Sequence, residues 1–218
     1  IGNKARRDPK RIVFAEADNV KILKAAQIVY DEGVGYPILL GDVNKIKSMA
    51  EANSIDLSDL PIFDPRSDEM EEKRNKYSQI FFAKRGRKGF NDYESKKIMK
   101  DRNYFGCMMV ECGDADAMIS GLAKNYPDTI RPALQTIGTE EGVKKIAGMY
   151  LMLTKKGPLF LADTTVNFNP TAEELAEITL MVAREVKHFN ITPRIAMLSY
   201  SNFGSSNSPE AKLVAHAR

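Results

Sequence analysis

Residues 115–138 contain the side chains best suited to bind an anion. A short apolar segment, Ala117 to Ile119, leads into Ser120-Gly121, and a helix is predicted to begin near Asp128-Thr129 with Arg131 in its first turn. Free N–H groups at a helix start, the positive end of the helix dipole and a guanidinium together favour a phosphate or a carboxylate. A buried structural Arg-Asp pair would use the same residues, so the pattern leaves both alternatives open.

A second polar loop, Ser199 to Ser208, follows a predicted strand and leads into a helix with Pro209 at its first position. Ligands of open α/β sheets gather at the carboxyl ends of strands, which favours a binding role for this loop. An exposed turn with local hydrogen bonds is the alternative. The residues that offer hydroxyls, amides or close backbone approach are Ser201, Asn202, Gly204, Ser205 and Ser206.

Three other groups of side chains have both functional and structural interpretations. Asp163 and Asn167 end a predicted strand, where they either line the top of a sheet or have a structural role in helix capping and turn formation. Asp114 and Asp116 precede the Ser-Gly turn, and paired carboxylates can carry out acid–base chemistry. The basic segment 84–89 is predicted as a loop, either solvated or in contact with coenzyme phosphates.

The composition excludes several classes of site. The 218 residues include 32 basic and 29 acidic side chains, a balance that does not favour nucleic acid or an anionic membrane as partner. Two cysteines and two histidines offer little material for a zinc site, a His-rich metal centre or a Ser-His-Asp triad. No apolar run reaches the roughly 18 to 20 residues that span a bilayer, and no secretory signal is present, so a cytoplasmic location is expected. Ile1 in place of Met predicts a domain cut from a longer polypeptide.

Strand-like and helical segments alternate along the chain, which predicts an α/β protein with a mainly parallel sheet. A capping-box pattern, Thr171 with Glu174, opens the clearest helix. The predicted strands are 12–15, 37–40, 60–63, 117–119, 147–153, 159–166 and 195–199. The predicted helices are 19–31, 43–53, 68–83, 92–100, 104–112 and 172–189, with others beginning near residues 128 and 209.

Five segments, in order, resemble the phosphate acetyl/butyryltransferase family. The central one contains SG followed by DTIRPALQ within Ala115 to Gly138, and the others are Arg11 to Ala26, Gly35 to Asp42, Phe160 to Ile178 and Ala196 to Ala211. The resemblance implies a two-lobed phosphotransacetylase-like (isocitrate/isopropylmalate dehydrogenase-like) fold, with a cleft between the lobes and a homodimer or higher homo-oligomer. Residues 1–140 are then the first lobe and residues 141–218 the start of a second lobe, truncated at its C-terminus.

The resemblance also assigns roles to the candidate residues. Arg131 matches the family's phosphate-contacting arginine, Ser120 and Gly121 line the floor of the cleft beside Thr129, and the loop of residues 201–206 faces the coenzyme. The expected ligands are acetyl-CoA and an acyl phosphate, and the chemistry needs no metal. Members of the family carry their catalytic serine and arginine in a Ser-Arg-Gly segment beyond the position that matches Arg218, so the resemblance implies that residues 1–218 are not catalytic alone.

Two departures from the family pattern point to a subgroup. Active transferases usually read S-T-K-G-S-A where this chain has Ser201-Asn202-Phe203-Gly204-Ser205-Ser206, and Asn125-Tyr126-Pro127 replaces small hydroxyl residues. Both variants resemble the C-terminal domain of bacterial NADP-dependent malic enzymes. The main prediction is therefore an acetyl-CoA-binding regulatory domain of such an enzyme, with NADP and a divalent metal held by an upstream malic domain. The alternatives are an active phosphate acetyltransferase or butyryltransferase and a purely structural dimerisation module.

Overall fold

A computed structural model describes residues 2–202 and 204–218. The chain forms two compact units, residues 1–138 and 139–218. Within the described ranges, no helix is long and apolar enough to cross a membrane.

The first unit is a parallel α/β layer structure, as the alternating pattern predicts. Four strands lie in the order β3-β2-β1-β4, and every neighbouring pair is parallel. Its elements are α1 (Gly2–Arg7), β1 (Lys10–Phe14), α2 (Val20–Asp31), β2 (Gly35–Leu40), α3 (Val43–Ala52), β3 (Ile62–Phe63), α4 (Glu71–Arg85), α5 (Asp92–Ile98), α6 (Arg102–Glu111), β4 (Ala117–Ile119) and α7 (Tyr126–Thr136), with short 3₁₀ helices at Asp68–Met70 and Gly86–Lys88.

Apolar side chains on both faces of the sheet hold this unit together. Successive residues of β1 point to opposite faces, so Val13 packs with the aromatic and methionine side chains of α4 and α6, while Phe14 packs with α2 and α3. Both faces of the sheet are therefore covered, as parallel sheets require.

The second unit contains a β-hairpin and two helices. Strands β5 (Met149–Thr154) and β6 (Gly157–Ala162) pair in antiparallel fashion, and α8 (Ala172–His188) and α9 (Pro209–Ala217) come after them in the chain. The predicted capping box is present: Thr171 accepts from the amide of Glu174, and the Glu174 side chain accepts from the amide of Thr171.

The predicted strand at residues 195–199 is wrong. These residues have no regular structure, and Ile195 and Leu198 are exposed. A strand needs a hydrogen-bonded neighbour, and in the described part of the second unit β5 and β6 pair only with each other. The topological reason for expecting a ligand at the Ser199–Ser208 loop is therefore removed.

Candidate functional site

The loop of residues 120–125 joins the carboxyl end of β4 to the start of α7. Strand β4 pairs with β1, and just beyond that pairing the amide of Ala15 donates to the carbonyl of Ile119 at 3.2 Å. The strand at residues 117–119 is confirmed, and the loop lies at the edge of the sheet where ligands of parallel α/β proteins bind.

A carboxylate of the protein itself fills the concave side of this loop. Glu16, only 6% exposed, accepts from the amides of Gly121 at 2.8 Å, Leu122 at 2.7 Å and Ala123 at 2.9 Å. Burial raises the pKa of Glu16, but the three N–H donors outweigh burial and hold the pKa below its ordinary value. The amides of residues 121–123 therefore already have an anionic partner.

Glu16 is not among the site residues predicted from the sequence, although its position in the sequence is a usable signal. Glu16 lies between Ala15 and Ala17, directly after the apolar end of β1. A carboxylate buried at such a position must find hydrogen-bond donors. The sequence cannot say which donors, since residues 121–123 lie about a hundred positions along the chain.

The expectation of free N–H groups at the start of α7 is wrong for Asp128 and Thr129. The helix begins at Tyr126, and the side chain of its N-cap residue, Asn125, accepts from the amide of Asp128 at 3.0 Å. The amide and the hydroxyl of Thr129 both donate to the carbonyl of Asn125. Asparagine is a favoured N-cap, and Pro127 has no N–H to offer, so these backbone donors are used within the helix.

Arg131 projects from α7 into solvent. Its Nη1 lies 3.4 Å from the Asp128 carboxylate, one turn earlier, and the two side chains are 58% and 50% exposed. The alternative of a buried Arg-Asp pair is therefore wrong. An arginine has five N–H donors, so one long contact leaves most of the guanidinium able to bind an anion.

Ser120 and Gly121 are fixed by their surroundings. The Ser120 hydroxyl donates to Oδ1 of Asn103 on α6 at 2.9 Å, and Asn103 is fully buried. Gly121 has φ of +117°, a conformation that side chains disfavour, and a Cβ built on it would lie 3.7 Å from the Thr129 methyl group. Ser120, Gly121, Thr129 and Arg131 thus lie on one stretch of the first unit.

The predicted basic loop at residues 84–89 is wrong in its first part. Lys84 and Arg85 belong to the last turn of α4 and point to the carboxyl end of α7. Lys84 donates to the carbonyl of Thr136 at 2.9 Å and also pairs with Glu111, while Arg85 donates to the carbonyl of Leu134 at 3.4 Å. These cations bind carbonyls that the end of a helix leaves without partners.

The Ser199–Ser208 loop forms hydrogen bonds within itself, as expected if it is an exposed turn. Ser201 Oγ accepts from the amide of Ser206 at 3.1 Å, and Ser205 Oγ accepts from the amide of Asn202 at 3.2 Å. Gly204 has φ of +79°. Phe203, which stands where active transferases usually have lysine, lies outside the described residues. The five candidate residues of this loop lie within the second unit.

Asp163 holds the turn that follows β6 and does not cap the next helix, whose N-cap residue is Thr171. Its carboxylate accepts from the amides of Gly148, Thr165, Val166 and Asn167, and from the Asn167 side chain. Burial raises the pKa of Asp163, but these donors prevail and lower it to about 2.

The other carboxylates are also engaged in structural contacts. Asp114 accepts from the Tyr77 hydroxyl and pairs with Lys73, while Asp116 accepts from the backbone and guanidinium of Arg11. The pKa of each lies below its ordinary value because of these partners, that of Asp116 at about 2. The acid–base interpretation of Asp114 and Asp116 is therefore not supported.

No three metal-ligating side chains converge anywhere in residues 2–202 and 204–218. Both cysteines have free thiols, and burial raises the pKa of Cys107 to about 11.

A family model described as phosphate acetyl/butaryl transferase matches residues 1–218. The chain belongs to the phosphate acetyl/butyryltransferase family. Solved structures of phosphotransacetylases have the same fold. The EutD phosphotransacetylase of Staphylococcus aureus superposes on this chain with a TM-score of 0.86 and 30% sequence identity, and the match covers 99% of this chain and 66% of that one. The predicted α/β phosphotransacetylase-like fold is thereby confirmed.

Sequence relatives include both phosphate acetyltransferases and malic enzymes. The phosphate acetyltransferase of Bacillus subtilis is 39% identical over 95% of this chain, which spans 63% of that enzyme. The NADP-dependent malic enzyme of Escherichia coli is 34% identical over the whole chain, which spans 29% of that enzyme. The chain thus spans less than two thirds of the length of these relatives.

Proposed function

We propose that this chain is part of a phosphate acyltransferase, which exchanges an acyl group between acyl-CoA and phosphate. The 39% identity to a phosphate acetyltransferase, against 34% to a malic enzyme, supports this function over the regulatory one predicted first. The observation that carries the proposal is structural: the exposed guanidinium of Arg131 follows the Ser120–Asn125 loop at the carboxyl edge of the parallel sheet.

The chemistry calls for charge stabilisation. The coenzyme thiolate attacks the carbonyl carbon of the acyl phosphate, a C–S bond forms, and the C–O bond to phosphate breaks, releasing phosphate. Negative charge grows on the phosphoryl oxygens as that bond breaks, and a guanidinium nearby stabilises it. We assign this contact to Arg131.

The contact between Arg131 and Asp128 does not oppose this role. Ion pairs between exposed side chains on one helix contribute only about 0.3–0.5 kcal/mol. Arg131 can therefore exchange its long contact with Asp128 for a bidentate contact with phosphate at little cost.

The second loop is proposed to contact acyl-CoA. Ser201 and Ser205 each accept a backbone amide, and a hydroxyl that accepts one hydrogen bond can still donate another. Ser206 Oγ lies 3.1 Å from the Tyr200 hydroxyl, and Asn202 and Gly204 are exposed beside it. These groups suit the amide and hydroxyl functions of a coenzyme arm.

The deciding experiment uses the full-length protein. It is mixed with acetyl phosphate and CoA, and thioester formation is followed by absorbance. Turnover that depends on both substrates supports the proposal, whereas binding of acetyl-CoA without turnover overturns it.

A second candidate is the acetyl-CoA-binding regulatory domain of a malic enzyme. Alignment of the E. coli malic enzyme with the whole chain favours it. NADP, a divalent metal and the malate site would then be held by an upstream domain. Malate-dependent reduction of NADP, followed while acetyl-CoA is titrated, tests this candidate: a saturable change in rate supports it, and absence of malic activity excludes it.

We also propose that the protein forms a homodimer, which analytical ultracentrifugation of the full-length protein would test by its sedimentation.

A further inference from the structure

Glu16 and the amides of residues 121–123 form an anion site whose anion belongs to the protein. Three consecutive N–H groups converge on one carboxylate, at 2.7 to 2.9 Å. Backbone N–H groups arranged in this way bind phosphate and other anions in many proteins. In this chain the buried carboxylate of Glu16 holds that position.

We propose that Glu16 is a positioning residue for acyl transfer: it fixes the 120–123 segment and so places Ser120 and Arg131 for the phosphate. The inference rests on the proposed function. Glu16 would touch neither substrate, and its effect would be transmitted through the loop and the start of α7.

The weakness of β4 explains why the loop needs such an anchor. Strand β4 has three residues, and among the described strands β1 is its one partner, so the ladder ends at Ile119 and gives no support to the loop beyond it. Other contacts also tie the loop to α6: the Ser120 hydroxyl donates to Asn103, and Lys124 pairs with Asp101 at 3.0 Å. Each of these is a single contact, whereas Glu16 makes three.

The opposite end of the same strand pair provides an internal comparison. Asp116, just before β4, accepts from the backbone and side chain of Arg11 on β1. Carboxylates thus join β1 to β4 at both ends, but only Glu16 acts at the carboxyl edge, where the candidate site lies. Asp116 is therefore a matched control, since its loss weakens the same strand pair away from the site.

Glu16 should also determine where an external phosphate binds. With Glu16 in place, the amides of residues 121–123 are occupied and the carboxylate repels a further anion. A phosphate group is then directed to the Arg131 guanidinium and not into the loop. Without the carboxylate, the vacated amides should accept a small external carboxylate such as formate.

The test compares Glu16→Gln, Glu16→Ala and Asp116→Asn in the full-length protein, with folding checked by circular dichroism. Misplacing a site by about 1 Å costs on the order of 100-fold in rate. Glu16→Gln should thus lower kcat/KM for acetyl phosphate by roughly 10- to 100-fold. Asp116→Asn should stay within about twofold of wild type, since substitutions away from the site affect stability first. Glu16→Gln keeps one acceptor oxygen and is the milder variant if Glu16→Ala does not fold.

Formate provides the readout that a merely structural role would not change. Added formate should restore activity to Glu16→Ala but not affect Asp116→Asn. Wild-type kcat/KM in folded Glu16→Gln, equal losses in Glu16→Gln and Asp116→Asn, or no recovery with formate would each overturn the proposal.

Hydrogen exchange at the amides of residues 121–123 tests the anchoring by Glu16 separately from the proposed acyl transfer. Exchange should be slow in wild type, fast in Glu16→Ala, and slow again with formate. Absence of acyl transfer by the wild-type protein would overturn the proposed function. Unchanged exchange in Glu16→Ala would instead overturn the anchoring by Glu16, whatever the activity.

Discussion

The ammonium group of Lys84 donates a hydrogen bond to the carbonyl oxygen of Thr136 at 2.9 Å, in the last turn of the helix that carries Arg131. Asn125 caps the other end of this helix. Helix α7 is therefore held at both ends by polar contacts, one made within the local sequence and the other by a residue of α4.

Replacement of Lys84 tests the contact at the carboxyl end. Lys84→Met should lower the free energy of unfolding of the full-length protein by about 1–2 kcal/mol, because a charged hydrogen bond to Thr136 and the pair with Glu111 are lost. Chemical denaturation measures this effect. Lys97→Met, at an exposed position of α5, is the control and should change stability by less than about 0.5 kcal/mol. Equal effects of the two substitutions would contradict the assigned role of Lys84.

Replacement of Arg131 tests the anion contact. Arg131→Ala should reduce kcat/KM for acetyl phosphate by roughly 100-fold, since one donor to developing charge contributes about 2.7–4 kcal/mol. Stability should hardly change, because the side chain is 58% exposed. Arg131→Lys keeps the charge but loses the bidentate geometry and should recover only part of the activity. Arg184→Ala, another exposed arginine, is the control. A folded Arg131→Ala protein with full activity would remove Arg131 from the site.

Replacement of Gly121 tests the shape of the loop. Gly121→Ala places a side chain at φ of +117° and should cost about 1–2 kcal/mol in stability, with a loss of activity as the amides move away from Glu16. Gly89→Ala introduces similar strain at φ of +96°, in a turn outside the candidate site. It should lose stability but keep kcat/KM. Activity that falls equally in both variants would argue against a special role for the loop.

The acid sensitivity of the second unit is expected to depend on Asp163. Its folded pKa of about 2 lies below the value of about 3.9 for an unfolded chain. The ionised form therefore stabilises the fold by roughly 2 kcal/mol above about pH 4, and this contribution is lost as the pH falls toward 2. Asp163→Asn should be less stable than wild type at pH 6, and the difference should shrink between about pH 4 and pH 2. Denaturation at several pH values measures it, and a constant difference would contradict the assignment.

Local signals in the sequence were sufficient for most helices and for the parallel sheet. Thr171 and Glu174 form their capping box within a single helical turn, and Ser208 and Pro209 begin α9, because such caps involve only near neighbours along the chain. The strand at residues 195–199 was predicted by the same local reasoning and is wrong. A strand depends on a partner elsewhere in the chain, which periodicity cannot supply.

The sequence by itself determined the family, the alternation of strands and helices, and the strand–loop–helix segment that carries Ser120 and Arg131. Only the tertiary structure decided which groups meet there. Pairing of β1 with β4 brings Glu16 to the amides of residues 121–123, and packing of α4 brings Lys84 to the end of α7. A buried carboxylate must find donors, and a helix end must find partners for its carbonyls. The sequence shows that such partners are required, but only the tertiary structure shows which residues provide them.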